Sequence, residues 1–257
     1  MLNNSIPIFI VSLKGSERRI LLIDKLKDMS YQFVDAINGV DFLDEIRKIN
    51  EQKKQSNSPK IFTPGEYGCA RSHRKIYEKM ESENINWAII LEDDVDFDFD
   101  FQSQISEIID SFNENNLYIL GCQEGLPSSD HIVISKKNNI KFKGLNLNKT
   151  IRSERYIYRT AAYLISKKTA SKILEFTENN FSLADDWYVF SKEKLFENIY
   201  LGDFIRHPEL LEGQSTIENE RLMRSKRKSF KSSQLFKLLR SFKVYFRQYI
   251  IKAAFDK

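Results

Sequence analysis

The sequence predicts an α/β domain built on a parallel sheet, and three observations carry that prediction. Trp87-Ala88-Ile89-Ile90-Leu91 is too short an apolar run for a typical helix and is apolar on both faces, as a central strand covered on each side must be. The run ends in three carboxylates, Glu92-Asp93-Asp94, and the carboxyl end of such a strand is where open α/β sheets bind ligands. Upstream, Ile6 to Ala36 reads as strand, helix, strand, the opening of an α/β unit.

Taken in order, Ile6 to Leu13 is the first strand, and Lys14-Gly15-Ser16-Glu17-Arg18-Arg19 is a basic turn leading into a helix. Ser16 is the expected N-cap, with Ile20, Ile23 and Leu26 on one helical face. A glycine-containing turn of this kind can hold a diphosphate through backbone N–H groups and guanidinium, although Arg-rich helix starts are more often simply solvated. Tyr31 to Ala36 is the second strand, closed by the turn Ile37-Asn38-Gly39. Phe42 to Lys60 is charge-rich and is expected to give a short helix and an exposed loop around Ser56-Asn57-Ser58-Pro59. Thr63 then opens a helix to about Glu83, because Thr63 and Glu66 have capping-box spacing and Pro64 suits a first helical position. His73, on that helix, reads equally as a hydrogen-bonded core histidine or a catalytic one.

After the central strand, Asp96 to Phe101 alternates aspartate with phenylalanine. The spacing imitates a calcium loop, but Phe101 stands where that loop needs glycine, so the phenylalanines are expected inside and the aspartates outside. Ile105 to Phe112 reads as helix, Leu117 to Leu120 as a short strand ending at Gly121, and residues 122–150 as a hairpin-like, substrate-facing loop region. Tyr156 to Ile165 is strand-like, and Ser166 caps a helix through Phe176. Asp185-Asp186 marks the start of a helix continuing towards Lys194; the helix dipole accounts for one carboxylate there but not readily for both. Ile199 to Leu201 is the last strand, followed by Asp203 and His207-Pro208.

Composition narrows the class. With 257 residues, 41% of them hydrophobic and 30% charged, the chain is long enough to bury a core and does not resemble a disordered one. No apolar stretch approaches the ~20 residues of a membrane span, and the N-terminal apolar run lacks the layout of a signal peptide, so cytoplasmic residence is expected. Cys69 and Cys122 match no paired metal-ligand spacing and read as buried structural thiols. The net charge of +4 is uneven: residues 218–257 hold 12 Lys+Arg against 3 Asp+Glu, leaving residues 1–217 at −5. That division sets the expected organisation, a catalytic domain over 1–217 and a basic amphipathic helical tail over 218–257. The acidic body and the lack of an aromatic-basic interleaved sheet motif count against a nucleic-acid-binding module resting on the tail alone.

The tail has its own pattern. Leu235, Leu238, Leu239, Phe242, Tyr245, Phe246, Tyr249, Ile250 and Ala253 recur at helical spacing, with Lys237, Arg240, Lys243 and Arg247 on the flank and opposite side. Arg221, Arg224, Lys226, Arg227, Lys228 and Lys231 lie just upstream. Packing on the domain is one reading; a peripheral helix on an anionic membrane is the other, and charge favours it.

Three adjacent carboxylates are costly to desolvate unless cations or donors compensate them. A hard divalent metal with a phosphate ligand meets that need, since such ions use one or two carboxylates plus substrate phosphates. The same acids would also serve a metal-dependent hydrolase of nucleotide sugars or phosphoesters.

Several segments together resemble glycosyltransferase family 25, the bacterial lipopolysaccharide and lipooligosaccharide glycosyltransferases related to collagen galactosyltransferases. They are Val11-Ser12-Leu13 with Arg18-Arg19, Asp35-Ala36-Ile37-Asn38-Gly39, Thr63 to His73 with its Gly-Cys-Ala-x-Ser-His core, Ile90 to Val95, Thr160 to Ser166 and Ala184-Asp185-Asp186-Trp187. Arg71 and Ala162 depart from the usual residues. The resemblance implies a GT-A-like nucleotide-sugar-binding sheet and inverting transfer of a hexose, galactose or glucose, from a UDP-sugar to a lipooligosaccharide or lipopolysaccharide glycan. A β-galactosyltransferase dependent on Mn2+ is the expectation. In that reading Asp94, Glu92 and His207 hold the metal, and Leu13, Arg18, Arg19, Glu92, Asp93 and His73 line the donor site. Asp185 or Asp186 is the base, the family match favouring Asp185. The implied acceptor is lipid-linked at the inner face of the bacterial inner membrane.

Overall fold

The computed structural model describes residues 5–55, 61–207 and 234–256, with the backbone alone for 234–242. Eight strands form one sheet: β1 (Ile8–Ser12), β2 (Tyr31–Asp35), β3 (Trp87–Glu92), β4 (Leu117–Gly121), β5 (Ile134–Phe142), β6 (Leu145–Thr150), β7 (Ala162–Ser166) and β8 (Ile199–Ile205), in the order β2-β1-β3-β7-β4-β8-β6-β5. The helices are α1 (Arg18–Leu26), α2 (Leu43–Gln55), α3 (Pro64–Ser82), α4 (Phe101–Glu107), α5 (Lys167–Asn179), α6 (Trp187–Lys192) and α7 (Gln234–Phe255).

β3 is central and buried on both faces, as its composition requires. Ile89 and Leu91 enter one core with Leu22 and Leu26 of α1 and Phe101 and Ile105 of α4. Ala88 and Ile90 enter the other, with Ile76, Tyr77 and Met80 of α3, Ile173 of α5 and Trp187 of α6. The α/β expectation therefore holds, but the sheet is mixed and not parallel. β1 runs parallel to β2 and β3, and β4 parallel to β8. β7 lies antiparallel between β3 and β4, and the β5–β6 hairpin joins through β6 antiparallel to β8. The consequence is positional: the carboxyl ends of β1, β2, β3, β4 and β8 and the amino end of β7 all meet at one edge of the sheet.

Local signals account for most boundaries. Thr63 Oγ1 accepts from Glu66 N at 3.1 Å while Thr63 N donates to Glu66 Oε2 at 3.0 Å, the reciprocal box that starts α3. Ser166 Oγ accepts from Thr169 N at the start of α5. Phe97 and Phe101 are buried, Asp96 and Asp98 pair with Arg206, and Asp100 caps α4. Three expectations are corrected. Ser16 does not cap α1, because its hydroxyl donates to the Asp93 carboxylate, a stronger acceptor interaction than a cap offers. α2 is a 13-residue helix and not a short one. The strand expected from Tyr156 begins only at Ala162, because Arg159 takes φ +66° and turns the chain at the site.

α7 touches the body through its polar side and, near its end, through Phe255, whose ring lies 3.7 Å from the Arg152 guanidinium. Arg247 donates to the backbone oxygens of His131 and Arg152, Gln248 to those of Asp130 and Ile132, and Asp256 accepts from Lys136 N. Tyr245, Phe246, Tyr249 and Ile250 face outward, Tyr245 at 69% exposure. The apolar stripe is thus not what packs on the domain where its side chains are described. No described helix is long and apolar enough to cross a membrane. The loop around 56–59, the basic positions 221–231 and the division at 217/218 lie outside the described residues.

Candidate active site

The sheet edge gathers the acids that the sequence singled out, and it gives each a different environment. Asp94, just past β3, is largely buried at 16% side-chain exposure; its Oδ2 accepts from Arg18 at 2.9 Å and lies 3.4 Å from His207 Nε2. Its Oδ1 is buried with no hydrogen-bond partner. Burial works against the Asp94 charge, but the hydrogen bond and charge of His207 and the Arg18 guanidinium prevail and hold it below the usual carboxylate range. His207 is brought there by β8, and its backbone N–H donates to Glu124 Oε1 at 2.6 Å.

Glu92 sits one step behind. Its Oε1 accepts from Thr160 Oγ1 at 2.6 Å and lies 4.0 Å from His73 Nε2. Loss of water, then the negative charge of Asp94, push the Glu92 carboxyl up to about 7, against the Thr160 hydrogen bond and the His207 charge; Asp185 adds to the rise. Asp185, from a distant stretch of chain, joins the same group through adjacent residues, since Arg159 N donates to it while Thr160 Oγ1 donates to Glu92.

Asp93 faces the other way. Its Oδ2 accepts from Ser12 Oγ at 2.6 Å and Ser16 Oγ at 3.0 Å, and its Oδ1 lies 3.4 Å from Arg18. It pins the β1–α1 turn. Arg19 is likewise built in, donating to Ser12 O at 2.8 Å and Asp35 Oδ1 at 2.6 Å and stacking 4.9 Å above Phe33. Arg18 is the turn's remaining guanidinium at the carboxylates. Leu13 is half-exposed on the same turn. His73 is 1% exposed beneath Glu92, its Nδ1 hydrogen-bonded to Tyr163 at 2.7 Å and its Nε2 without a partner.

The two aspartates before α6 also diverge. Asp186 Oδ2 accepts from Leu183 N at 2.8 Å and closes its own turn. Asp185 Oδ2 accepts from Arg159 N at 3.0 Å, across the site. Sequence reasoning passed over Arg159, which organises this corner: its guanidinium donates to the backbone oxygens of Cys122 and Glu124, and its own oxygen accepts from Trp187 Nε1. Cys122 and Arg159 both take positive φ, +64° and +66°, strain of the kind that accumulates at functional sites. Sequence carries no signal for a non-glycine residue in that conformation. Thr160, by contrast, stands inside a segment that drew attention for other reasons.

The model of glycosyltransferase family 25 (LPS biosynthesis protein) matches residues 5–189. The chain is 25% identical over 179 residues to a Bos taurus protein named probable inactive glycosyltransferase 25 family member 3, covering 65% of this chain and 28% of that one. It is 27% identical over 155 residues to an Aedes aegypti glycosyltransferase 25 family member, covering 59% of this chain and 21% of that one. The chain thus spans about a quarter of the length of these curated relatives. Among solved structures, a glycosyltransferase involved in the glycosylation of the major capsid of PBCV-1 superposes at a TM-score of 0.42 and 11% identity, over 86% of this chain and 99% of that one.

Proposed function

This chain belongs to glycosyltransferase family 25, and we propose from that premise that it is a metal-dependent inverting transferase moving a hexose, galactose or glucose, from a UDP-sugar to a lipooligosaccharide glycan. The observation that carries the reading is the convergence of Asp94, Glu92 and His207 with Asp185 at one sheet edge, from three separate stretches of chain.

A divalent ion fits the residues present. The buried, unpartnered Asp94 Oδ1 wants a cation, and the carboxylate oxygens of Asp94 and Glu92 suit Mn2+, with His207 as an added imidazole. Asp94 and His207 would hold the ion with Glu92 at its margin; bound there, it would supply positive charge for the diphosphate and the departing UDP. Arg18, now on Asp94, is placed to turn towards the same diphosphate. The Asp185 carboxylate, held by Arg159 N, would take the acceptor hydroxyl's proton as that oxygen attacks the anomeric carbon from the face opposite the leaving group. Asp186, committed to its own turn, is left a structural part.

The acceptor is taken to be lipid-linked, with α7 as the peripheral anchor on the inner face of the bacterial inner membrane. The outward Tyr245, Phe246, Tyr249 and Ile250 would enter the headgroup region, with the upstream basic residues attracted to anionic lipid. Incubation with UDP-galactose or UDP-glucose, Mn2+ and truncated lipooligosaccharide tests the whole reading.

A further inference from the structure

Behind the acids lies a second donor group that shares only Glu92 with the transfer chemistry and adds Cys69 and His73, which that chemistry does not use. Cys69 and His73 stand four residues apart on α3, hence on one face of it, and that face meets the carboxyl end of β3. A sulfur of Cys69, a ring nitrogen of His73 and a carboxylate oxygen of Glu92 all lie within 4.8 Å of one another. His73 is 1% exposed, and its Nε2, 4.0 Å from Glu92 Oε1, has no hydrogen-bond partner. An unmade bond at so buried a nitrogen is costly, and the atom points at the other two donors.

We propose that Cys69, His73 and Glu92 form a buried site for a borderline divalent ion, Zn2+ by its ligand chemistry, that clips α3 to the end of β3. A thiolate, an imidazole and a carboxylate are the donors zinc takes, whereas Mg2+ and Mn2+ prefer oxygen. The ion would neutralise two negative ligands in a desolvated place. The surroundings already orient the histidine: Nδ1 and Tyr163 Oη share a hydrogen bond of 2.7 Å, and Tyr163 Oη lies 2.7 Å from Tyr77 Oη, so Nε2 is the nitrogen turned to the other donors, and an ion there would put the ring proton on Nδ1. Thr160 Oγ1 holds Glu92 at 2.6 Å and sits 3.7 Å from Cys69 Sγ, fixing a second ligand in the same way. The Asp94–His207 pair contains no sulfur, so the two sites differ in kind, and the proposal stands whether or not the chain transfers sugar.

The difference makes the site testable by spectroscopy on the full chain. Purified protein is expected to retain about one zinc through gel filtration. After zinc removal, Co2+ should restore an ion whose spectrum includes a thiolate-to-cobalt charge-transfer band. That band should survive Asp94→Asn and disappear in Cys69→Ser. Tyr163→Phe, which touches no ion, should weaken Co2+ binding roughly 10- to 100-fold while keeping the band. Wild-type protein that shows no thiolate band, or a band unchanged in Cys69→Ser, would overturn the proposal. The wild-type measurement decides the matter even if a variant fails to fold.

Discussion

Asp94 Oδ2 lies 3.4 Å from His207 Nε2, although 113 residues separate the two in sequence. β3 delivers one and β8 the other, and their register across β7 and β4 places both ends at the same edge.

The two aspartates before α6 should behave differently on substitution. Asp185→Asn is expected to lower kcat by roughly 10²- to 10⁴-fold with donor binding nearly unchanged. Asp186→Ala removes the acceptor that closes the Leu183–Asp186 turn, so about 1 kcal/mol of stability should go while kcat holds. Steady-state kinetics beside urea unfolding separates the two; the reverse pattern would move the base to Asp186.

His73 makes stability sensitive to acid. Burial lowers its pKa from 6.5 in the unfolded chain to about 3 in the folded one. Its contribution is complete above 6.5 and is lost as pH falls from there towards 3, because the unfolded state takes up the proton first. An ion on Nε2 leaves the sign unchanged, since the nitrogen must still be bare. Urea unfolding at pH 7 and pH 5 should show wild type losing more stability than His73→Gln between the two. Equal losses would contradict the burial of an unprotonated imidazole.

Gly39 is required by closeness. A Cβ there would stand 1.8 Å from Pro64 O, and one at Gly68 would stand 2.4 Å from Ile37 O, so the turn after β2 and the first turns of α3 touch backbone to backbone. Gly39→Ala should cost at least the ~1–3 kcal/mol typical of overpacking, because backbone cannot swing aside as a side chain can. A thermal melt matching wild type would show that the contact yields.

The tail prediction concerns surface alone. Full-length protein should cosediment with anionic vesicles, less at high salt, and a chain ending at Glu220 should not. Tyr245→Ser with Tyr249→Ser should weaken binding without loosening α7, whose contacts to the body run through Arg247, Gln248, Phe255 and Asp256. Equal binding by the full and shortened chains, or none by either, would remove the membrane role.

How much of this was legible in advance depended on whether the signal was local. The β3 run, the Thr63–Glu66 box, the Ser166 cap and the inward phenylalanines rest on nearest neighbours, and they read correctly. The direction of β7 does not; an apolar strand looks the same in either sense, so the mixed sheet was invisible. Within the site the acids were visible as a cluster, but their division of labour was not. Asp93 turns to Ser12 and Ser16, and Asp94 to Arg18 and His207, because partners from distant segments claim each one. Arg159 was missed for the same reason: its importance lies in a backbone angle and in contacts to Asp185, Cys122 and Trp187. Cys69, read as a buried structural thiol, is half-buried instead and stands beside His73 and Glu92, a meeting of helix and strand that spacing alone does not reveal.

The most direct test of the central claim is the mass of the glycan after incubation with the protein, UDP-galactose or UDP-glucose, and truncated lipooligosaccharide, with Mn2+ or with excess chelator. The account predicts a gain of one hexosyl residue in Mn2+, little or none in chelator, and loss of most of that gain in Asp94→Asn protein that still melts cooperatively. Free hexose released without any change in the glycan, or transfer that proceeds undiminished in chelator or with Asp94→Asn, would contradict it.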